Sequence, residues 1–131
     1  LEQMALAEFC KENFNSHVKT LTNKLQKKSE AICNALDKYF GASAEYKKPD
    51  GGIFVWVDMH KKVDTSRLYE LALKDGVAIN PGNEWSINKS GRHKMRLCFG
   101  NPSIKEIDEG IKRLAIICRK EFGIPTKIAN L

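Results

Sequence analysis

The sequence has no apolar run near the ~18 to 20 residues that a membrane-spanning helix needs, which excludes that class at once. Cysteine is sparse: the four residues, Cys10, Cys33, Cys98 and Cys118, stand far apart with no CxxC pair, so neither a zinc knuckle nor a dithiol redox motif is written here. Such scattered cysteines read as small buried apolar residues in a reducing, cytoplasmic compartment. The three histidines, His17, His60 and His93, share no ligand spacing; they read as surface residues, and no metal site is expected. A Gly-rich phosphate loop is missing as well, because Asp50-Gly51-Gly52 falls between two expected strands rather than between a strand and a helix. There is no nucleophile elbow, no assignable Ser, His and Asp set, and no close pair of carboxylates. The residues alone show no catalytic group.

What is present is the composition of one ordinary soluble domain: 131 residues, 42% apolar and 29% charged. Its 22 Lys and Arg against 16 Asp and Glu leave a net charge of +6, which suits anionic ligands. No stretch interleaves Arg with aromatics as single-strand binders do, so neither nucleic acid nor membrane is an expected partner. The chain opens Leu1-Glu2-Gln3 without an initiator Met or a basic-then-apolar leader, and reads as the tail of something longer.

Apolar residues at Leu6, Cys10, Phe14, Val18, Leu21, Leu25, Ile32, Ala35 and Tyr39 keep a three-and-four spacing, which predicts one long amphipathic helix ended by Gly41. A kink near Asn13 to Ser16 would shorten it. A helix of this length is either a connector between two domains or a coiled-coil arm. Ser43 to Lys47 reads as a strand, and the Pro49-Asp50-Gly51-Gly52 turn leads into Ile53 to Val57, a polar-free run expected at the sheet centre and covered on both faces. Asp64 caps a helix with Leu68, Leu71 and Ala72 inward and Gly76 at its end, and Val77 to Asn80 reads as a third strand. Asn83 to His93 reads as a surface loop of functional length. Lys94 to Phe99 alternates, setting Met95, Leu97 and Phe99 on one face and Lys94, Arg96 and Cys98 on the other. Ser103 to Glu106 is a capping box opening a helix through Ile107, Ile111, Leu114, Cys118 and Phe122 to Gly123. The whole is an α+β sandwich: a mixed, largely antiparallel sheet covered by helices.

Arg96 is the residue that pattern alone singles out. An arginine in mid-strand is costly to cover unless its five donors are used, and its planar fork fits a carboxylate or phosphate in a two-bond pairing. An ion pair with Asp or Glu on a neighbouring element, or an exposed strand face, would account for it equally.

The succession PDGGIFVWVD, GVAINPGNEW, MRLCFGNPSIKEIDEGIKRL, in this order and at these distances, closely resembles the carboxy-terminal small domain of fold-type I pyridoxal-phosphate aminotransferases. The similar group is class I/II, with the 2-aminoadipate and kynurenine aminotransferases and the effector domains of MocR-type regulators. The resemblance runs from about His17 to Phe122. It implies a connecting helix over 1–40 and a small domain over 41–131, with the large cofactor-binding domain outside this chain. It further implies that Arg96 grips the α-carboxylate of an amino acid or 2-oxo acid. Gly52, Phe54, Pro81, Gly82 and Trp85 would border the substrate entrance. The lysine and the other groups that hold pyridoxal phosphate in that family belong to the larger domain, so no catalytic or cofactor-binding residue is expected here. A homodimer is implied for the full-length protein, and self-association for the fragment. There are departures: His17 is followed by Thr22, Leu25, Lys27, Lys28 and Ser29 where the family usually has a tyrosine and arginines, and Trp85 replaces the commoner Phe. The expectation is therefore part of an aminotransferase, silent by itself; a MocR-type effector domain and a stand-alone binding domain are the rivals.

Overall fold

The structure, a computed structural model, describes residues 1–88 and 90–128. In chain order it contains α1 (Glu2–Tyr39), β1 (Ala44–Tyr46), β2 (Phe54–Met59), α2 (Thr65–Lys74), β3 (Asn80–Pro81), β4 (Lys94–Cys98) and α3 (Ile104–Phe122), with single 3-10 turns at Gly41–Ser43 and Gly82–Trp85. The strands form one sheet in the order β1-β2-β4-β3. Every pairing is antiparallel, the limiting case of the mixed sheet expected.

Parity in the ladder decides which side chains meet the helices. Val55, Val57 and Met59 on β2 and Met95 and Leu97 on β4 share one face with the following Phe99, and all are buried. Against them pack Ile32 and Leu36 of α1, Leu68 and Ala72 of α2, and Ile107, Ile111, Leu114 and Cys118 of α3, forming one core. This is a two-layer arrangement with helices on one side of the sheet. The other face, with Phe54 and Trp56, stays open. The two-sided cover expected for Ile53 to Val57 is therefore corrected: the strand is central, but no helix among the described residues covers its second face, where Phe54 and Trp56 stay partly exposed.

Helix α1 runs 38 residues without interruption. The helix is not broken near Asn13, where the polar side chains bond within it: Asn13 Nδ2–H donates to the Phe9 carbonyl and Ser16 Oγ–H to the Asn13 carbonyl, at 3.1 and 3.0 Å. Its apolar stripe is buried only from Ser29 onward, while Met4, Phe14, Val18 and Leu21 on the same side are exposed. The end of α1 is tied to α3 by Asp108, which accepts from Tyr39 Oη–H at 2.8 Å and pairs with Lys38 at 3.1 Å.

The third strand is shorter than expected. Past Gly76, at φ +75°, the Val77 N–H donates to the Ala72 carbonyl and so finishes α2 rather than joining the ladder. Only Asn80 and Pro81 reach β4, and proline has no N–H with which to extend the pairing. The expected caps are present: Asp64 accepts from the Ser66 and Arg67 N–H groups, and Ser103 and Glu106 form the reciprocal capping box. Of the cysteines, Cys33 and Cys118 are buried as expected, whereas Cys98 is exposed and Cys10 half-buried. His93 is also partly covered rather than free on the surface, because it pairs with Asp58 at 3.2 Å.

Candidate functional site

Arg96 stands in the middle of β4 on the open sheet face, with Trp56 as its ladder partner on one side and Asn80 on the other. Its guanidinium carbon lies 4.1 Å from the centre of the Phe54 ring and 4.1 Å from that of the Trp85 ring. Phe54 comes from β2 and Trp85 from the segment after β3, so the rings flank Arg96 from the two sides of its own strand. One Nη2–H donates to Asn80 Oδ1 at a long 3.4 Å. The Nε–H is shielded from solvent and has no partner among the described residues. An unmatched charged donor of this kind costs more than an ordinary hydrogen bond returns.

The neighbouring charges do not neutralise Arg96. Asp58, on the same face, pairs with Lys94 at 3.1 Å and with His93. Asp64 takes Arg92 at 3.1 Å. No ion pair to Arg96 occurs among the described residues, so the structural reading of Arg96 as an ion-paired strand residue finds no partner here.

The segment carrying Trp85 is fixed at both ends. Gly82 and Gly91 lie back to back, so close that a Cβ on either would overlap the other's backbone. Just beyond, the Thr65 N–H and Oγ1–H both donate to the Arg92 carbonyl, at 2.8 and 2.9 Å. Partial burial pushes the Asp64 carboxyl up, but hydrogen bonds from the Arg67 N–H, Arg92 and the Ser66 N–H outweigh it and hold Asp64 below the usual carboxylate range. Lys89, inside the loop expected at Asn83 to His93, lies outside the described residues.

The expected site residues thus divide. Arg96, Phe54 and Trp85 are brought together. Pro81 and Gly82 are buried at the root of the Trp85 segment, and Pro81 faces Met95 across the ladder. Gly52, at φ +78°, lies along a separate groove of about 330 Å³ between the Lys48 to Gly52 turn and Thr22, Gln26 and Ser29 of α1. Asn80 and Gly91 escaped the sequence reading: the first looked like a strand end, and the second is paired with Gly82 only through space. A groove of about 1100 Å³ between α3 and the Gly76 to Ala78 segment does not include Arg96.

The donor set around Arg96 fits a carboxylate. It does not fit pyridoxal phosphate: one guanidinium edge and two rings offer no phosphate cradle, and Lys94 on the same face is held by Asp58. Among the described residues no cluster of His, Cys, Asp or Glu could hold a metal ion, and no helix is long and apolar enough to cross a membrane.

Comparison with known proteins converges on one family. Residues 1–114 match the family model for class I and II aminotransferases. The 2-aminoadipate transaminase of Thermus thermophilus is 32% identical over 114 residues, covering 87% of this chain and 29% of that protein. The uncharacterized HTH-type transcriptional regulator YisV of Bacillus subtilis is 31% identical over 121 residues, covering 92% of this chain and 25% of that one. In three dimensions the chain superposes on the α-aminoadipate aminotransferase LysN from Thermus thermophilus, crystallised with N-(5'-phosphopyridoxyl)-L-leucine, at a TM-score of 0.83 and 30% identity, covering 90% of this chain and 30% of that one. The kynurenine aminotransferase of Pyrococcus horikoshii gives a TM-score of 0.77 at 30% identity, covering 84% and 27%. The chain therefore spans less than a third of the length of these relatives. With its sequence, its fold and the order of its elements in agreement, this chain belongs to the class I and II aminotransferase family.

Proposed function

We propose that this chain is the carboxy-terminal small domain of an aminotransferase that moves an amino group between an amino acid and a 2-oxo acid, and that Arg96 is its grip on the substrate's α-carboxylate. The observation that carries this reading is the Arg96 guanidinium, beside two aromatic rings and without an ion-pair partner among the described residues, in a chain whose relatives include aminotransferases. A two-bond pairing to the guanidinium edge fixes the carboxylate in direction as well as place. The Cα–H bond is then presented at one angle to the reacting centre, a contribution of orientation rather than of proton transfer. Pyridoxal phosphate, held by residues outside this chain, would supply the electron sink. In this reading residues 1–40 connect to the cofactor-binding domain, residues 41–131 form the small domain, and Gly52, Pro81 and Gly82 shape the entrance. The complete protein is then a cytoplasmic homodimer, and the present chain alone transfers nothing.

The test is Arg96→Lys in the complete polypeptide. Lysine keeps the charge but loses the planar fork, so KM for the amino acid should rise at least about tenfold while cofactor absorbance is kept. Unchanged KM and kcat/KM would sink the assignment.

The similarity to HTH-type regulators supports a second reading, in which the same site senses an amino acid and the complete reading frame carries a DNA-binding segment at its amino terminus. The intact mass and sequence of the native product decide between the two.

A further inference from the structure

We infer that Trp85 and Phe54 are positioning residues for Arg96 that make it a receptor for planar carboxylates and poor for tetrahedral oxyanions; the inference rests on the carboxylate-gripping reading above and deepens it. An arginine side chain is long and rotamer-rich, and ordering it on binding costs affinity unless it is held beforehand. Here the holding is visible. Phe54 is fixed by its place in the β2–β4 ladder opposite Cys98. The segment that carries Trp85 is closed at its ends by the Gly82 and Gly91 contact and by the bonds at Arg92. Both ring centres stand 4.1 Å from the guanidinium carbon, within the range of favourable cation–π contact.

The burial of Trp85 argues for this role over a packing one. Its side chain is 56% exposed, so it adds little to the core, and the aromatic contact it makes is with Arg96. The two rings stand against the guanidinium, its Nε–H is closed to solvent, and the terminal Nη groups are left as the approach. A carboxylate paired to the Nη edge through two hydrogen bonds lies in the guanidinium plane. A phosphonate or phosphate of equal charge must put an oxygen out of that plane, toward the rim of a ring. Selection then follows from shape, since the formal charge of the two anions is the same.

The experiment compares 4-methylpentanoate with 3-methylbutylphosphonate, which carry the same 3-methylbutyl group, at a pH where each carries a single negative charge. Dissociation constants are measured by calorimetry on the complete polypeptide. The wild type should prefer the carboxylate; Trp85→Leu should lower that preference roughly tenfold, and Trp85→Phe should restore most of it. Phe54→Leu removes the opposite ring and should act in the same direction, so the test survives if one variant fails to fold. In the ligand-free protein the Arg96 Nε–H proton resonance should also move downfield in either leucine variant as ring shielding is lost. If the preference stays at its wild-type value in both leucine variants, or is absent in the wild type, the positioning inference is overturned. Arg96→Met separates the two levels: loss of both anions keeps the carboxylate reading whatever the ring variants do, and unchanged carboxylate binding removes that reading itself.

Discussion

The two faces of the β2–β4 ladder are built from alternate residues of the same strands, so they share backbone, twist and pairing and differ only in parity. On the inner face Val55, Val57, Met95 and Leu97 are at most 4% exposed. On the outer face Phe54 and Trp56 are 39% and 41% exposed, and Arg96 keeps a desolvated donor with no partner. Inner residues gain from contact with three helices and lose if they change size. Outer residues gain nothing of that kind; on the function proposed above they serve recognition, while the inner face serves stability.

That division can be attacked directly. The largest effect should come from Leu97→Ala, one position from Arg96 but on the inner face: a loss of ~2 to 5 kcal/mol in denaturant unfolding, from transfer and cavity terms together. Arg96→Lys should do the reverse, changing unfolding by about 0.5 kcal/mol or less while carboxylate affinity falls at least about tenfold. Similar stability losses for the two would erase the distinction between faces. Ser103→Ala touches neither face and serves as the neutral control. It should lower stability by ~1 kcal/mol through the lost α3 cap, and leave the affinity at Arg96 unchanged well below the melting temperature.

Acid provides a second route to the same cap. Glu106 is held below the usual carboxylate range, first by the Ser103 N–H and then by the Ser103 hydroxyl. A depressed folded-state pKa contributes stability that is complete above the unfolded value, near 4, and is lost as pH falls through the lower folded value. Glu106→Gln should therefore flatten the stability profile only below about pH 4. The smallest effect belongs to the outer face: Trp56→Thr should shift unfolding within about 0.5 kcal/mol, yet reduce self-association of the chain in sedimentation, because it removes apolar surface from an open patch.

Much of the fold was legible in the sequence because the rules involved are local. The Asp64 cap, the Ser103 and Glu106 box, Gly123 at φ +62° and the alternation across β4 each depend on residues within a few positions. The failures share a different cause. The shortness of β3 depends on the Val77 N–H being spent on α2, and the closure of the Trp85 loop depends on two glycines nine positions apart touching through space. The run from Ile53 to Val57 has no polar break and so predicts burial on both sides, which this chain provides on one side only. At the site, Arg96 announced itself by its strand position, and Phe54 and Trp85 entered through resemblance. Asn80 and Gly91 had no local signal.

Helix α1 has a mechanical side as well. It meets the rest of the domain from Thr22 to its end, where Lys28 also donates to the Gly100 carbonyl, and the part from Glu2 to Leu21 is exposed but for a half-buried Cys10. At 1.5 Å per residue the free part is roughly 30 Å long. A rigid rod of that length moves its tip by about 0.5 Å for each degree that the body at its base turns. The sheet bearing Arg96 is part of that body. A body that held α1 near Phe14 would thus be geared to the attitude of the guanidinium: a tilt of the base would be magnified at the far end, and a push there would be returned, scaled down, to the ladder.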